Sequence, residues 1–246
     1  MAIELPGELV WVMNLLGLNW PQVNEDKVRE FGGHVREFGQ NLQASHDAAS
    51  QTIGRLGDVY QASSYEALVE AWAQRSNSHM SELVEACSVT ADALELAADG
   101  IVAMKTAVIT ELGIMAAEFV ADQAAAVVTL GAAEAAEALL VEATKKIVNA
   151  LIQTAEQELI GALINQAVGP LEQVVERALS GLVFQGLQAA LGAPDPGDMG
   201  GGGAGDGFHV QPDEMMRHAV LMHGHAEEVQ GHGARFAAVA QGVSFS

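Results

Sequence analysis

The chain has 246 residues, half of them apolar but only 5% aromatic, and sets 32 acidic against 11 basic side chains for a net charge of −21. Such a charge repels a phosphate backbone, and no basic cluster offers a local exception, which excludes nucleic acid as a partner and disfavours anionic membrane surfaces. The single cysteine, Cys87, excludes an internal disulfide framework and a cysteine-based metal site. It lies among apolar residues with no basic neighbour in sequence and reads as a small packed hydrophobe rather than a nucleophile.

Abundant Ala with few aromatic residues favours helices packed through small side chains over a sheet, so the expected fold class is all-α. Residues 8–18 read as a short apolar helix with Leu9, Val12, Met13 and Leu16 on one side and Trp11 beside them, ended by "GLNWP". Its flanking charges are Glu4 and Glu8, and the first basic residue is Lys27, the reverse of the positive n-region of a Sec-type signal peptide. Asn24 then makes a good N-cap, with Glu25 and Asp26 in the first turn, where the helix dipole favours acids. Val23 and Val28 flank the cap as a hydrophobic staple would.

From that cap the positions Val28, Phe31, Val35, Phe38, Leu42, Ser45, Ala49, Thr52 and Leu56 alternate in steps of three and four. This is a heptad seam, and it predicts a rod roughly 50 Å long that needs a partner of similar length. The stretch "GRLGDVYQASSYE" interrupts the pattern: Gly54 and Gly57 let the first helix stop, Tyr60 is expected to anchor a turn, and "SSYE" is a capping box pairing Ser63 with Glu66. Tyr65, Leu68, Trp72, His79, Leu83, Ala86, Thr90, Leu94, Ala97 and Ile101 then repeat the stepping. The expected unit is a long antiparallel helical hairpin over residues 1–100, preceded by its short N-terminal helix.

Residues 101–191 are helical in propensity but apolar on most of their circumference, an extension that is either buried, an interface or membrane-facing. The charge-free run between Asp122 and Glu134 falls short of the 18 or so residues a spanning helix wants, so a packed soluble helix is the expectation. Breaks are expected at Gly131 and at Gly169-Pro170. Residues 192–207, "GAPDPGDMGGGGAGDG", have the composition of a flexible linker, and their glycines lack the Lys-Ser/Thr of a phosphate loop.

The segment 208–246 again reads as one amphipathic helix, opened by Pro212-Asp213-Glu214 and carrying Met215, Ala219, Met222, Ala226, Val229, Gly233, Phe236, Ala240 and Val243 in steps of four and three. It looks like the first half of a second hairpin, whose other rod is expected from a continuation past Ser246 or from another chain. Five of the eight histidines fall here. His218, His225 and His232 are seven apart, which places successive members about 10 Å apart along a helix, too far to share an ion. No metal site, cofactor site or catalytic residue is therefore expected. Glu227-Glu228 and Glu134 with Glu137 read as solvated faces, and no nucleophile elbow, zinc-protease, Walker or calcium-loop motif occurs.

A hairpin of two long helices joined by an aromatic-x-small turn resembles the WXG-motif proteins exported by type VII (ESX) secretion systems, with Tyr60-Gln61-Ala62 standing where Trp-x-Gly would stand. The start "ELVWVMNLLGLNWPQVNEDKVREF", with the apolar helices after residue 101, resembles the WXG-like N-terminal domain of long actinobacterial proteins. These include a mycobacterial channel-forming toxin and polymorphic toxins with enzymatic C-termini. The resemblance spans about residues 1–191. It implies a secreted, non-catalytic module for recruitment to the type VII secretion machinery, commonly with a small helical WXG-like partner or by self-association. A downstream toxin domain with its immunity protein is a further implied partner, and membrane insertion is the alternative activity. The family's Tyr-x-x-x-Asp/Glu export signal does not follow Tyr60 or Tyr65, where Ser64 and Val69 stand, which directs the search for it to a partner or beyond Ser246. Phe31, Phe38, Tyr60, Tyr65 and Trp72 are the expected structural determinants.

Overall fold

Helix dominates the computed structural model, which describes residues 2–61, 63–75, 80–126, 133–163 and 209–245. A 3-10 turn at Gly7–Leu9 leads into α1 (Val10–Leu16), followed by α2 (Glu25–Leu56), α3 (Ser63–Arg75), α4 (Ser81–Ala126), α5 (Ala133–Leu163) and α6 (Pro212–Gly242). Two short extended segments, β1 (Tyr60–Gln61) and β2 (His209–Val210), pair antiparallel, with Tyr60 opposite Val210 and Gln61 opposite His209. The architecture is all-α, as the composition predicts.

The chain divides into two compact units. The first comprises Met1–Gly32, Asp92–Gln166 and Val243–Ser246, and the second Gly33–Ala91 and Ala167–Gly242. The expected linker at 192–207 and the end of the extension, 164–191, lie outside the described residues, as do residues 127–132 around the expected break at Gly131 and residues 76–79, which include His79. The change from hairpin to extension placed at residue 100 is no helix boundary, because α4 runs through it to Ala126. One Gly in an Ala-rich helix costs only about 1 kcal/mol. The seam of Ala97, Ala98, Ile101 and Met104 stays buried across it.

In the first unit α1 inserts Val12, Met13 and Leu16 into a core completed by Val28 and by Leu94, Val108, Leu112 and Met115 of α4, with Val148 of α5. Gly17 closes α1 in the left-handed conformation and returns its amide to the Asn14 and Met13 carbonyls. Asn24 caps α2: its Oδ1 accepts the Lys27 amide at 3.1 Å. The Asn24 amide itself donates to the Phe245 carbonyl at 2.7 Å, and the Phe245 ring stands edge-on to Phe31 at 5.8 Å.

In the first turn of α2 the dipole argument understates what Glu25 does. Its side chain is 1% exposed and faces Lys105 of α4, 3% exposed, at 2.8 Å. The other carboxylate oxygen accepts the Ile3 amide, and the Lys105 ammonium donates to the Ile3 carbonyl at 3.1 Å. The ammonium also lies 5.9 Å from the centre of the Trp20 ring. Burial alone would raise the Glu25 pKa, but the hydrogen bonds from Lys105 and the Ile3 amide outweigh it and hold the carboxyl below its ordinary value.

Replacing one partner of this pair leaves the other charge buried and alone. Lys105→Met is therefore expected to cost about 3–5 kcal/mol, and the double variant Glu25→Leu/Lys105→Met less than the single one, as read by denaturant unfolding. A depressed folded-state pKa means the stabilisation is complete above the ordinary carboxylate value of 4.5 and is lost as pH falls through the lower folded value. Acid unfolding of the double variant should lack that component.

Candidate functional site

In the second unit the chain end of α2 turns through Gly57, Asp58 and Val59, whose amides bond back to Gly54, Arg55 and Leu56. The side chain that closes this turn is Tyr65, whose hydroxyl donates to the Ile53 and Gly54 carbonyls, each at 3.2 Å. A Cβ added at Gly57 would lie 2.5 Å from that hydroxyl, so a larger residue there would have to displace the end of the Tyr65 side chain. Tyr60 contributes through its backbone, as part of β1, and its hydroxyl meets the Ser64 hydroxyl. The Gln211 amide adds a bond to the Val59 carbonyl at 3.1 Å. Ala62 and the Ser63 side chain lie outside the described residues. Glu66, the other half of the expected capping box, is exposed.

The seam residues of the first rod fall on one side of α2. Val28 in the first unit and Val35, Leu42, Ser45, Ala49 and Thr52 in the second are buried, while Phe31, Phe38 and Leu56 are half-buried. On the return, Tyr65, Leu68, Trp72 and Leu83 are half-buried, and Leu94 is buried in the first unit. The Trp72 indole N–H donates to the Ser50 hydroxyl at 2.9 Å, and its ring stacks on His46 at 5.2 Å and 11°. At Gly39 the second unit also closes tightly: a Cβ there would stand 2.8 Å from the Cys87 Cβ. Cys87 is buried and burial pushes its thiol pKa up, away from the reactive thiolate.

The helix α6, expected to await a second rod, has a partner within its own unit. Phe236 stacks face to face on Phe38 at 4.6 Å and 13°. His232 bonds to the Ser45 hydroxyl at 3.2 Å, and His225 bonds to the Thr52 hydroxyl at 3.1 Å. Thr52 already donates to the Ala48 carbonyl, so His225 is the donor in that contact. Of the histidines spaced seven apart, His232 and His225 thus pack as polar seam members against Ser45 and Thr52, and His218 is buried. Val229 and Met222 are half-buried, whereas Met215, at the start of the helix, is exposed. Sequence spacing identified the stripe, but its partners could not be read from α6 alone.

Among the described residues no group of three or more His, Cys, Asp or Glu is placed to hold a metal ion. Among the described residues one helical stretch, Ser81–Asp122, is long and apolar enough by length and composition to cross a membrane. It carries the Lys105 that pairs with Glu25.

Large apolar side chains also face outward. In the first unit Trp11, Leu15, Ile114, Val120, Leu139 and Ile147 are exposed, and in the second Val69, Val89, Met216, Val220 and Leu221. Apolar helix faces of this kind are what helix-on-helix recognition uses.

Residues 2–148, more than half of the chain, match a family model described as a WXG100 like domain. No curated protein and no solved structure matches the chain.

Three outcomes test the second unit. Gly39→Ala should destabilise it by about 1–3 kcal/mol through overpacking against Cys87. Tyr65→Phe should cost about 0.5–1.5 kcal/mol for the lost turn-closing hydroxyl; both are read by thermal or denaturant melts. Burial lowers the His46 pKa from its ordinary 6.5, against the opposing pull of Asp47, so the stack on Trp72 favours neutral imidazole. That contribution is present above pH 6.5 and lost as pH falls through the lower folded value, and His46→Phe should remove this pH dependence from the melt.

Proposed function

Because the chain belongs to the WXG100-like domain family, a helical type associated with type VII secretion, we propose that it is the secretion-targeting and partner-binding module of a toxin-like protein exported by that route. The observation that carries this reading is the match over residues 2–148, which takes in α1 to α4 and the first half of α5. The module recruits the secretion machinery, engages a small helical partner through an apolar helix face, and leaves toxicity to a separate domain. It performs no catalysis of its own. The lone thiol is buried and burial raises its pKa, away from the reactive thiolate.

A second reading is favoured by one observation: the Ser81–Asp122 stretch has the length and hydropathy to cross a bilayer. Insertion would have to withdraw Lys105 from Glu25 or carry the charge into the hydrocarbon, which opposes it energetically.

The complete gene product with a C-terminal tag should appear in the medium of an actinobacterial host and be retained when the type VII secretion ATPase is deleted. Retention in both strains, with intact protein in the cells, would leave the family relationship as one of fold alone. Dye release from liposomes tests the second reading, and an adaptor should give none. Broad hydrolase screens of the chain should be blank, and robust turnover would refute the non-catalytic assignment.

A further inference from the structure

We propose that the face of the first unit around Trp11 and Phe119 docks a basic amphipathic helix of a protein partner, one whose apolar stripe is flanked by Lys or Arg. The proposal names a surface and a partner chemistry for the partner binding put forward above, and it rests on that reading.

Helix α1 is held by Val12, Met13 and Leu16, which are at most 3% exposed, so its outward side is fixed by its buried one. That outward side presents Trp11 at 41%, Leu15 at 43% and Val10 at 42% exposure. Trp11 and Leu15 lie one turn apart and share a face. The Trp11 ring rests on Phe119 of α4 at 5.3 Å, inclined at 58°, and the next residue, Val120, is 64% exposed. An outward Trp braced by a second aromatic ring is the kind of anchor that carries binding energy at protein interfaces.

The charges around this face decide among its possible occupants. Residues 1–24 carry Glu4 and Glu8, residues 106–126 carry Glu111, Glu118 and Asp122, and neither segment has a Lys, Arg or His. Glu8 lies one turn before Trp11, and Glu118 and Asp122 bracket Phe119 along α4. The nearest cation of α4, Lys105, is buried against Glu25. On α5, Lys145 lies by Gly17, at the far end of α1, where a cation suits the helix C-terminus. An apolar centre with an acidic rim complements a helix with apolar centre and basic rim. A second copy of this chain would set acids against acids, and an anionic membrane would meet the same repulsion.

The test uses the full chain and a fluorescently labelled synthetic Leu/Lys peptide that forms an amphipathic helix, followed by anisotropy. Two control peptides are a scrambled sequence of identical composition and a Leu/Glu version. Saturable binding of the Leu/Lys helix is expected, weakened about tenfold or more by scrambling and by Trp11→Ser/Val120→Ser. Because the latter pair could perturb folding, Glu8→Lys/Glu118→Lys, which alters only exposed residues, provides an independent variant. It should weaken the Leu/Lys helix and strengthen the Leu/Glu one while leaving the melting temperature in place. Equal binding of the scrambled peptide, or binding unchanged in both variants, would reduce the effect to diffuse attraction by an acidic chain and overturn the proposal. Trp11-dependent sedimentation with phosphatidylcholine or phosphatidylglycerol vesicles, or Trp11-dependent self-association in sedimentation equilibrium, would also overturn it by assigning the face to a lipid or to a second copy. The assay reads docking by purified protein, so a negative result leaves the export reading standing, and failure of export leaves a positive docking result intact.

Discussion

A carboxylate and an ammonium withdrawn from water must either neutralise or satisfy each other completely, and the first unit is organised around a pair that does the latter. Glu25 and Lys105 exhaust most of their hydrogen-bonding capacity on one another and on both backbone groups of Ile3. Three separate pieces of chain are thereby fixed at one point: the N-terminal segment, the first turn of α2 and the middle of α4. The benefit is in uniqueness more than in raw stability, since a well-packed apolar substitute can do as well energetically. Seams rich in Ala, such as Ala93, Ala97 and Ala98 in α4, can slide by a turn with little loss of contact. A slip here would strand two charges, so the pair selects one register among several that packing alone would tolerate.

The second unit solves the same problem by proximity. Gly39 against Cys87 and Gly57 against Tyr65 are places where no larger residue fits without displacement, and each sets a local register. The seam between α2 and α6 is unusually polar for a helix pair, with Ser45 and Thr52 answering His232 and His225. Hydrogen bonds across such a seam are directional, whereas apolar contacts are permissive. Both units thus keep these specifying contacts inside, while their exteriors are acidic and partly apolar.

Much of this was legible in the sequence. The three-four stepping from Val28 to Leu56 depends only on which residues are apolar, and the Asn24 cap depends only on neighbours along the chain. The turn at residues 57–59 was marked by its glycines. The Glu25–Lys105 pair was less accessible because each residue has an ordinary local explanation, Glu25 as a dipole-favoured acid and Lys105 as a surface charge. One signal was present: Lys105 is the only Lys or Arg between Arg75 and Lys145, and it sits in a helix otherwise apolar at that level. The identity of the turn-closing tyrosine was not accessible either. Tyr60 and Tyr65 are both near the turn, and only the path of β1 against β2 leaves Tyr65 to close it. The partner of α6 required knowing that residues far apart in the chain meet, which periodicity cannot supply.

The same long-range meetings dictate an order of events. Tyr60–Gln61 pair with residues 209–210, Phe38 stacks on Phe236, and the cap of α2 bonds to Phe245. Each unit therefore draws its last contacts from the final forty residues or so of the chain, although the family match ends at residue 148. On a ribosome, which releases the N-terminus first, α2 emerges early and stays incomplete on one side until synthesis has passed residue 245. Closing such long loops is slow as well as late. The seam of α2 thus has an obligatory interval of exposure in the cell, during which a chaperone or helical companion can hold it before α6 does.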